Sequence, residues 1–339
     1  MSGDRPGGES RDADGNGRLI DRFDGLLCDL DGVVYAGPGA IPHAVESLNK
    51  VVEAGLAVGY VTNNASRSPA DVAAHLVELG APASERTVVT SAQAGARLLA
   101  EKLTPGDAVL ITGSDYLAAE VRRVGLTPVT SATDEPRAVI QGFDPSIGWV
   151  HLAEAGYAIN AGALWVATNT DATIPRDRGI APGNGTLVGA VRAAVSVDPL
   201  VAGKPEAPLF RAAAAELDIT EPLVIGDRLD TDVLGGNNAG LTSALVLTGV
   251  DSVHTAIAAV PGQRPDLLLA DLRDLFTAVP EARPDDDGFR CSDAHARVDG
   301  DSVRVEGAGE DDLDGWRAAC AAWWAAHPDD AATPRVTFG

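Results

Sequence analysis

Cationic charge is what this 339-residue chain has least of. Twenty-six lysines and arginines face 49 aspartates and glutamates, a formal net charge of −23, and the only lysines are Lys50, Lys102 and Lys204. Such a surface repels nucleic acid and anionic membrane and argues against both as partners. Cysteine is scarce as well. Cys28, Cys291 and Cys320 are odd in number and widely spaced, giving neither a disulfide framework nor a CxxC zinc site, which points to a reducing cytosol. The histidines at 43, 75, 151, 254, 295 and 327 show no metal-ligand spacing. No apolar run approaches the roughly 20 residues of a membrane span, and the polar N-terminus lacks the apolar stretch of a signal peptide. The expectation is a soluble cytoplasmic protein. Apolar residues, at 45%, are ample for a core, and the length predicts two or three domains.

Residues 1–20 are rich in Gly, Ser, Asp and Arg without periodicity, and read as a disordered tail. Within them Asp12-Ala-Asp14-Gly-Asn16-Gly17 imitates the start of an EF-hand loop, but the twelfth position is Phe23 and no helix precedes it, so calcium is rejected. From Leu26 the pattern alternates. Apolar strands are predicted at 26–30, 56–62, 109–113, 138–143, 164–168, 223–226, 243–248 and 267–270. Helices are predicted at 43–54, 69–80, 91–102, 115–124, 148–160, 206–216 and 230–239. Fully apolar strands separated by helices imply α/β architecture with parallel sheets covered on both faces. The polar motifs fall only in the flanks, so 21–94 and 200–279 are read as one Rossmann-like core and 95–199 as an inserted domain. Residues 280–339 read as a small α+β extension. In it, Arg283-Pro-Asp-Asp-Asp-Gly288 is a linker, 289–297 and 301–306 are strands, and Trp316, Cys320, Trp323 and Trp324 form the packing face of a helix.

Chemistry concentrates where apolar strands end. Leu26-Leu-Cys-Asp29-Leu-Asp31-Gly32 places two carboxylates on one face of a strand end, by the period of two. Like charges that close repel, so a cation lies between them, or one stays protonated, or the segment is only a turn. Val61-Thr62-Asn63-Asn64 follows another strand, Gly203-Lys204-Pro205 precedes a helix, and Gly226-Asp227-Arg-Leu-Asp230-Thr-Asp232 closes a third strand. Open α/β sheets bind ligands at these carboxyl ends.

The order of these four motifs resembles the haloacid dehalogenase superfamily of phosphotransferases, over roughly residues 22–275. The inserted third resembles the α/β C2-type cap of its phosphoglycolate, pyridoxal-phosphate, nitrophenyl-phosphate and nucleotide phosphatases, with Trp165-Val-Ala-Thr-Asn169-Thr-Asp171 and Gly183-Asn184-Gly185 as cap signatures. The whole pattern, extension included, is most similar to the actinobacterial glycerol 3-phosphate phosphatases. The resemblance implies an Mg²⁺-dependent phosphomonoester hydrolase working through an aspartyl phosphate. It assigns nucleophilic attack to Asp29 and proton transfer to Asp31. It gives the metal to the Asp29 carboxylate, the Asp31 main-chain carbonyl and Asp227, and phosphoryl binding to Thr62, the Asn63 backbone and Lys204, with Asn64 as a further substrate-binding residue. Asn169 and Asp171 would meet substrate from the cap; Gly32 and Gly226 would support the site. Asp232 would orient Lys204 or a metal-bound water, with Asp230 as a substitute. Glycerol 3-phosphate is the first expectation for substrate. Phosphoglycolate, pyridoxal phosphate or a nucleotide is the alternative.

Asp31 argues against dehalogenation, because a halide leaves without a proton. A mutase would return the phosphoryl group to bound substrate, and the cap type resembles hydrolases instead. A phosphometabolite sensor without turnover would have no need of the full acid/base and metal set. Arg304-Val-Glu-Gly307-Ala-Gly309 matches the pyrophosphate-loop pattern of acetyl-CoA-dependent transferases, but about 60 residues is too short for that whole fold. Gly183-x-Gly185-x-x-x-Gly189 misses the dinucleotide spacing. Some members of the resembled family dimerise through their caps, so a homodimer is one arrangement the resemblance allows.

Overall fold

A computed structural model describes residues 17–176 and 178–339. The expected tail therefore lies mostly outside the described residues, as does most of the EF-hand-like run. Residues 19 and 20 do not belong to any tail. Leu19 and Ile20 are buried, and the Leu19 N–H donates to the Thr277 carbonyl at 2.8 Å.

The most apolar segments form the central strands. Gly25–Cys28 and Pro222–Gly226 are buried throughout and pair in parallel, Gly25 opposite Pro222 and Cys28 opposite Ile225. Around them lies a six-stranded parallel sheet in the spatial order 267–269, 242–246, 222–226, 25–28, 57–62, 88–90. The chain winds outward one way from 25–28 and the other way from 222–226. That reversal makes the boundary between these two strands the topological switch point, where loops diverge and leave a crevice.

A second sheet is also parallel, in the order 200–201, 164–167, 138–141, 108–112, 127–129. It is built entirely between the two flanks of the first. The expected limits of 95 and 199 do not coincide with its elements. Helix Ser91–Ala100 runs across the first limit, packing Ala94 against the core sheet and Ala92, Ala96 and Leu99 against the second. Strand Leu200–Val201 is the second sheet's edge.

On this second sheet the helix Asp115–Arg123 buries Glu120, with Arg123 at 3.7 Å. Burial lifts its carboxyl above the ordinary 4.5, and Arg123 only partly opposes that. A carboxyl raised on folding destabilises the native state as pH climbs from the unfolded value through the folded one. Glu120→Gln is therefore expected to gain stability over the parent between pH 4 and pH 7, checked by thermal unfolding across that range.

The extension differs from its prediction. The supposed linker is a strand, Arg283–Asp285, pairing antiparallel with Gly288–Cys291. The single strand expected over 289–297 is two, because Ser292, with φ of 50°, turns the chain so that Cys291 faces Ala294. Strands Ala294–Asp299 and Ser302–Glu306 follow, and helix Leu313–Ala326 crosses over to a parallel edge strand, Arg335–Phe338. Trp316, Cys320 and Trp323 are buried on that helix, as its packing face requires. No helix among the described residues is long and apolar enough to cross a membrane.

Candidate active site

The switch point collects three of the four motifs from distant parts of the chain, and the fourth reaches in from the far side. Asp29 extends the central strand by one residue, its N–H donating to the Ile225 carbonyl at 2.9 Å. The next turn is tight. Gly32 has φ of 75°, its N–H donates to Tyr35, and its carbonyl accepts the Thr248 hydroxyl at 2.6 Å. A side chain at Gly32 would overlap the Asp227 carboxylate, and so would one at Gly249. Asp227 thus sits in a cradle that only glycines leave open. Its Oδ2 accepts the Val250 N–H at 2.8 Å, and its carbonyl accepts the Asp251 N–H at 3.0 Å. A Cβ at Gly226 would strike Asp232, which lies in a wide helical turn, Leu229–Val233.

Lys204 ties the site together. Its buried ammonium donates to Asp29 Oδ1 at 2.5 Å and to Asp232 Oδ1 at 2.7 Å. Burial alone would discharge it, but Asp232 and Asp29 outweigh that and raise its affinity for the proton. Burial likewise drives the Asp232 carboxyl upward, against the pull of Lys204. Asp230 is elsewhere: it is exposed and pairs with Arg228 at 2.9 Å. Of the two acids weighed in the fourth motif, Asp232 is the one at the site.

One carboxylate oxygen from each of Asp29, Asp227 and Asp232 lies within 4.8 Å of the others. Three carboxylates against a single buried ammonium leave an excess of negative charge on an all-oxygen donor set. Such a set fits a hard divalent cation such as Mg²⁺. The Asp31 carboxylate is not in this cluster, which leaves it free for another role. Asp31 is an exposed residue, yet displaced water first and the Asp29 charge second hold its carboxyl above the ordinary range. Burial also raises Asp227, with Asp29 adding to the effect.

The second motif divides its labour in a way the sequence did not show. The Thr62 hydroxyl oxygen accepts the Asn64 N–H at 3.1 Å, leaving its hydrogen to be donated. The Asn63 side chain is occupied within the protein, which leaves its main chain for the expected phosphoryl contact, and the Asn64 amide oxygen is occupied as well. Asn64 Oδ1 accepts from Ser66 N and Oγ, both at 2.8 Å. Asn63 joins three segments: its Oδ1 accepts the Lys204 N–H at 2.7 Å, and its Nδ2 donates to the Lys204 carbonyl and to Asp171 at 3.1 Å. Asn169 is equally committed. Its Nδ2 donates to the Asn63 carbonyl at 2.7 Å, and its Oδ1 accepts the Asp171 N–H. Asp171 alone of this group keeps a carboxylate partly open, held high chiefly by burial despite the Asn63 bond.

Asn184 went unassigned beyond its cap signature. It is buried, donates to the Asn169 carbonyl at 2.7 Å, and opens helix Asn184–Arg192. Its flanking glycines are needed because side chains at 183 and 185 would strike the main chain of Thr170 and Asp171. Thr248, Val250 and Asp251 were missed too, although Thr248 and Asp251, closing the apolar strand Thr242–Val246, carry the same signal as the recognised motifs. In the extension, the glycine loop leads into helix Leu313–Ala326, whose N-terminus is capped by the Asp312 side chain. Glu310, Asp311, Asp312 and Asp314 crowd that end. They disfavour a pyrophosphate where helix amides would otherwise attract one.

The haloacid dehalogenase-like hydrolase model matches residues 26–127, the HAD-hydrolase-like model matches 201–275, and a GCN5-related N-acetyltransferase-like model matches 291–337. The chain is 53% identical to D-glycerol 3-phosphate phosphatase of Mycobacterium tuberculosis, over 76% of this chain and 72% of that protein. It is 36% identical to the glycerol-3-phosphate phosphatase of Gallus gallus, over 78% of this chain and 94% of the relative. Among solved structures it is similar to the M. tuberculosis glycerol phosphate phosphatase in complex with magnesium, with a TM-score of 0.83, 44% identity and coverage of 96% and 95%. The chain belongs to the haloacid dehalogenase-like hydrolases. Its most similar relatives named here are phosphatases acting on a phosphorylated three-carbon polyol.

Proposed function

We propose that the protein is an Mg²⁺-dependent phosphatase that releases phosphate from glycerol 3-phosphate. The observation that carries this reading is the Lys204 ammonium bonded at once to Asp29 and Asp232, with Asp227 beside them at the switch point. Asp29, Asp227 and the Asp31 carbonyl would hold the metal, which when bound offsets the repulsion between a dianionic phosphoryl group and the Asp29 carboxylate.

The chain's own groups then divide the reaction. Asp29, aligned by Lys204, attacks phosphorus; its Oδ–P bond forms as the bond from phosphorus to the glycerol oxygen breaks. Asp31 gives its proton to the departing alkoxide. It next removes a proton from water, which attacks the aspartyl phosphate and restores the Asp29 carboxylate with release of inorganic phosphate. The Thr62 hydroxyl donates to a phosphoryl oxygen throughout. The second-sheet domain acts as a cap that excludes competing water, and Asp171, carried on it, meets the substrate's free hydroxyls. The substrate assignment is supported by the two glycerol phosphate phosphatases above, whereas the fold alone also serves a 5'-nucleotidase of Bacillus subtilis at 36% identity. Three free, buried cysteines support a cytoplasmic setting.

An initial-rate screen of purified protein with Mg²⁺ over about twenty phosphomonoesters tests the reading. Glycerol 3-phosphate is expected to give the highest kcat/KM, and EDTA to abolish turnover. A tenfold preference for 2-phosphoglycolate or a nucleotide would move the substrate assignment. Inert protein would indicate a sensor.

A further inference from the structure

We propose that the C-terminal module is a brace for the metal site, holding the Asp227–Asp232 segment through its packing on Leu229, Val233 and the helix Val253–Ile257. Two routes lead from module to carboxylates. The first is direct: Leu229 and Val233, which flank Asp230 and Asp232, share one buried apolar cluster with Ala318, Ala322 and Trp323 of the C-terminal helix. The second runs through the loop that wraps Asp227. Val250 and Asp251 donate their N–H groups to Asp227, and the Asp251 carboxylate accepts the Leu229 N–H at 2.7 Å. Two residues later that loop becomes helix Val253–Ile257.

The module grips this short helix and its neighbours. Trp324 Nε1 donates to the Ile257 carbonyl at 3.1 Å, and the Trp316 ring meets His254 edge-on at 4.7 Å. Arg317 Nη2 donates to the Leu268 carbonyl on the sheet's edge strand at 2.7 Å. In the other direction the core's Arg264 guanidinium donates to the carbonyls of His327 at 2.6 Å and Asp330 at 2.9 Å and lies over the Trp324 ring. A five-residue helix has little stability of its own. Groups that orient metal ligands from the next layer typically change metal affinity 10- to 100-fold when removed. The module is thus built into the site's support, consistent with an acidic helix end that disfavours a cofactor of its own.

The inference rests on Asp227 being a metal ligand. Mg²⁺ binding is therefore measured by titration calorimetry on the full chain without substrate, in the parent, Trp324→Ala and Arg264→Ala, with Val191→Ala in the second-sheet core as a control for general destabilisation. Parent protein that fails to bind Mg²⁺ would overturn the metal assignment itself. With the parent binding, each brace variant is expected to bind about 10-fold more weakly, while Val191→Ala lowers the unfolding temperature and keeps parental affinity. Parental affinity in both brace variants, or an equal loss in Val191→Ala, would overturn the brace. Should an alanine variant not fold, Trp324→Phe and Arg264→Lys are read instead. They are expected to weaken Mg²⁺ binding less than the alanine variants do but measurably, and an unchanged affinity in both would again overturn the brace.

Discussion

Asp29→Asn is expected to lower phosphatase turnover by more than about 10⁴-fold, as removal of a nucleophile does where one residue carries the covalent step. The amide oxygen can still accept from Lys204, so the geometry around Asp232 survives. The substitution also removes one of three carboxylates gathered within 4.8 Å. Relief of their repulsion predicts a metal-free variant whose unfolding temperature equals or exceeds the parent's. Loss of activity with a stable fold separates a chemical role from a structural one. Turnover within tenfold of the parent would remove Asp29 as nucleophile.

Asp31→Asn tests the proton. An alkoxide such as that of glycerol 3-phosphate is a poor leaving group and needs the acid, whereas p-nitrophenolate departs without one. Hydrolysis of glycerol 3-phosphate is expected to fall about 10²- to 10⁴-fold, while p-nitrophenyl phosphate loses far less in the step that forms the aspartyl phosphate, read as a burst of nitrophenol. Equal losses in that step for the two substrates would mean that Asp31 acts on metal or phosphoryl binding instead. The position of the residue supports the proton role: its carboxylate stands outside the Asp29–Asp227–Asp232 cluster, on an exposed residue two positions from Asp29.

Periodicity revealed the frame because the central strands are apolar on both faces, and all eight predicted strands exist within a residue or two. Short strands such as Val88–Thr90 and Leu200–Val201 carry too few residues for a pattern, so they escaped. Within the site, residue types announced themselves wherever a charge closed an apolar run, as at Asp29 and Asp227. What remained hidden was partnership. Nothing local to Asn63 says that it bonds Lys204 and Asp171, which lie 141 and 108 positions away. The same distance hid why Gly203 is glycine: a side chain there would strike Asn63 and the Thr168 carbonyl. The extension misled because its linker-like charges sit on an edge strand, where solvent keeps them hydrated.

The pairing of strand Gly25–Cys28 with Pro222–Gly226 has a consequence for the chain during its synthesis. Nearly two hundred residues separate the central strands, so the middle of the sheet closes only after most of the polypeptide has left the ribosome. Until then Asp29 has neither Lys204 nor Asp227. A nascent or prematurely ended chain carries Asp29 without the partners it has in the folded protein, and the carboxylate cluster is assembled only when the fold is complete.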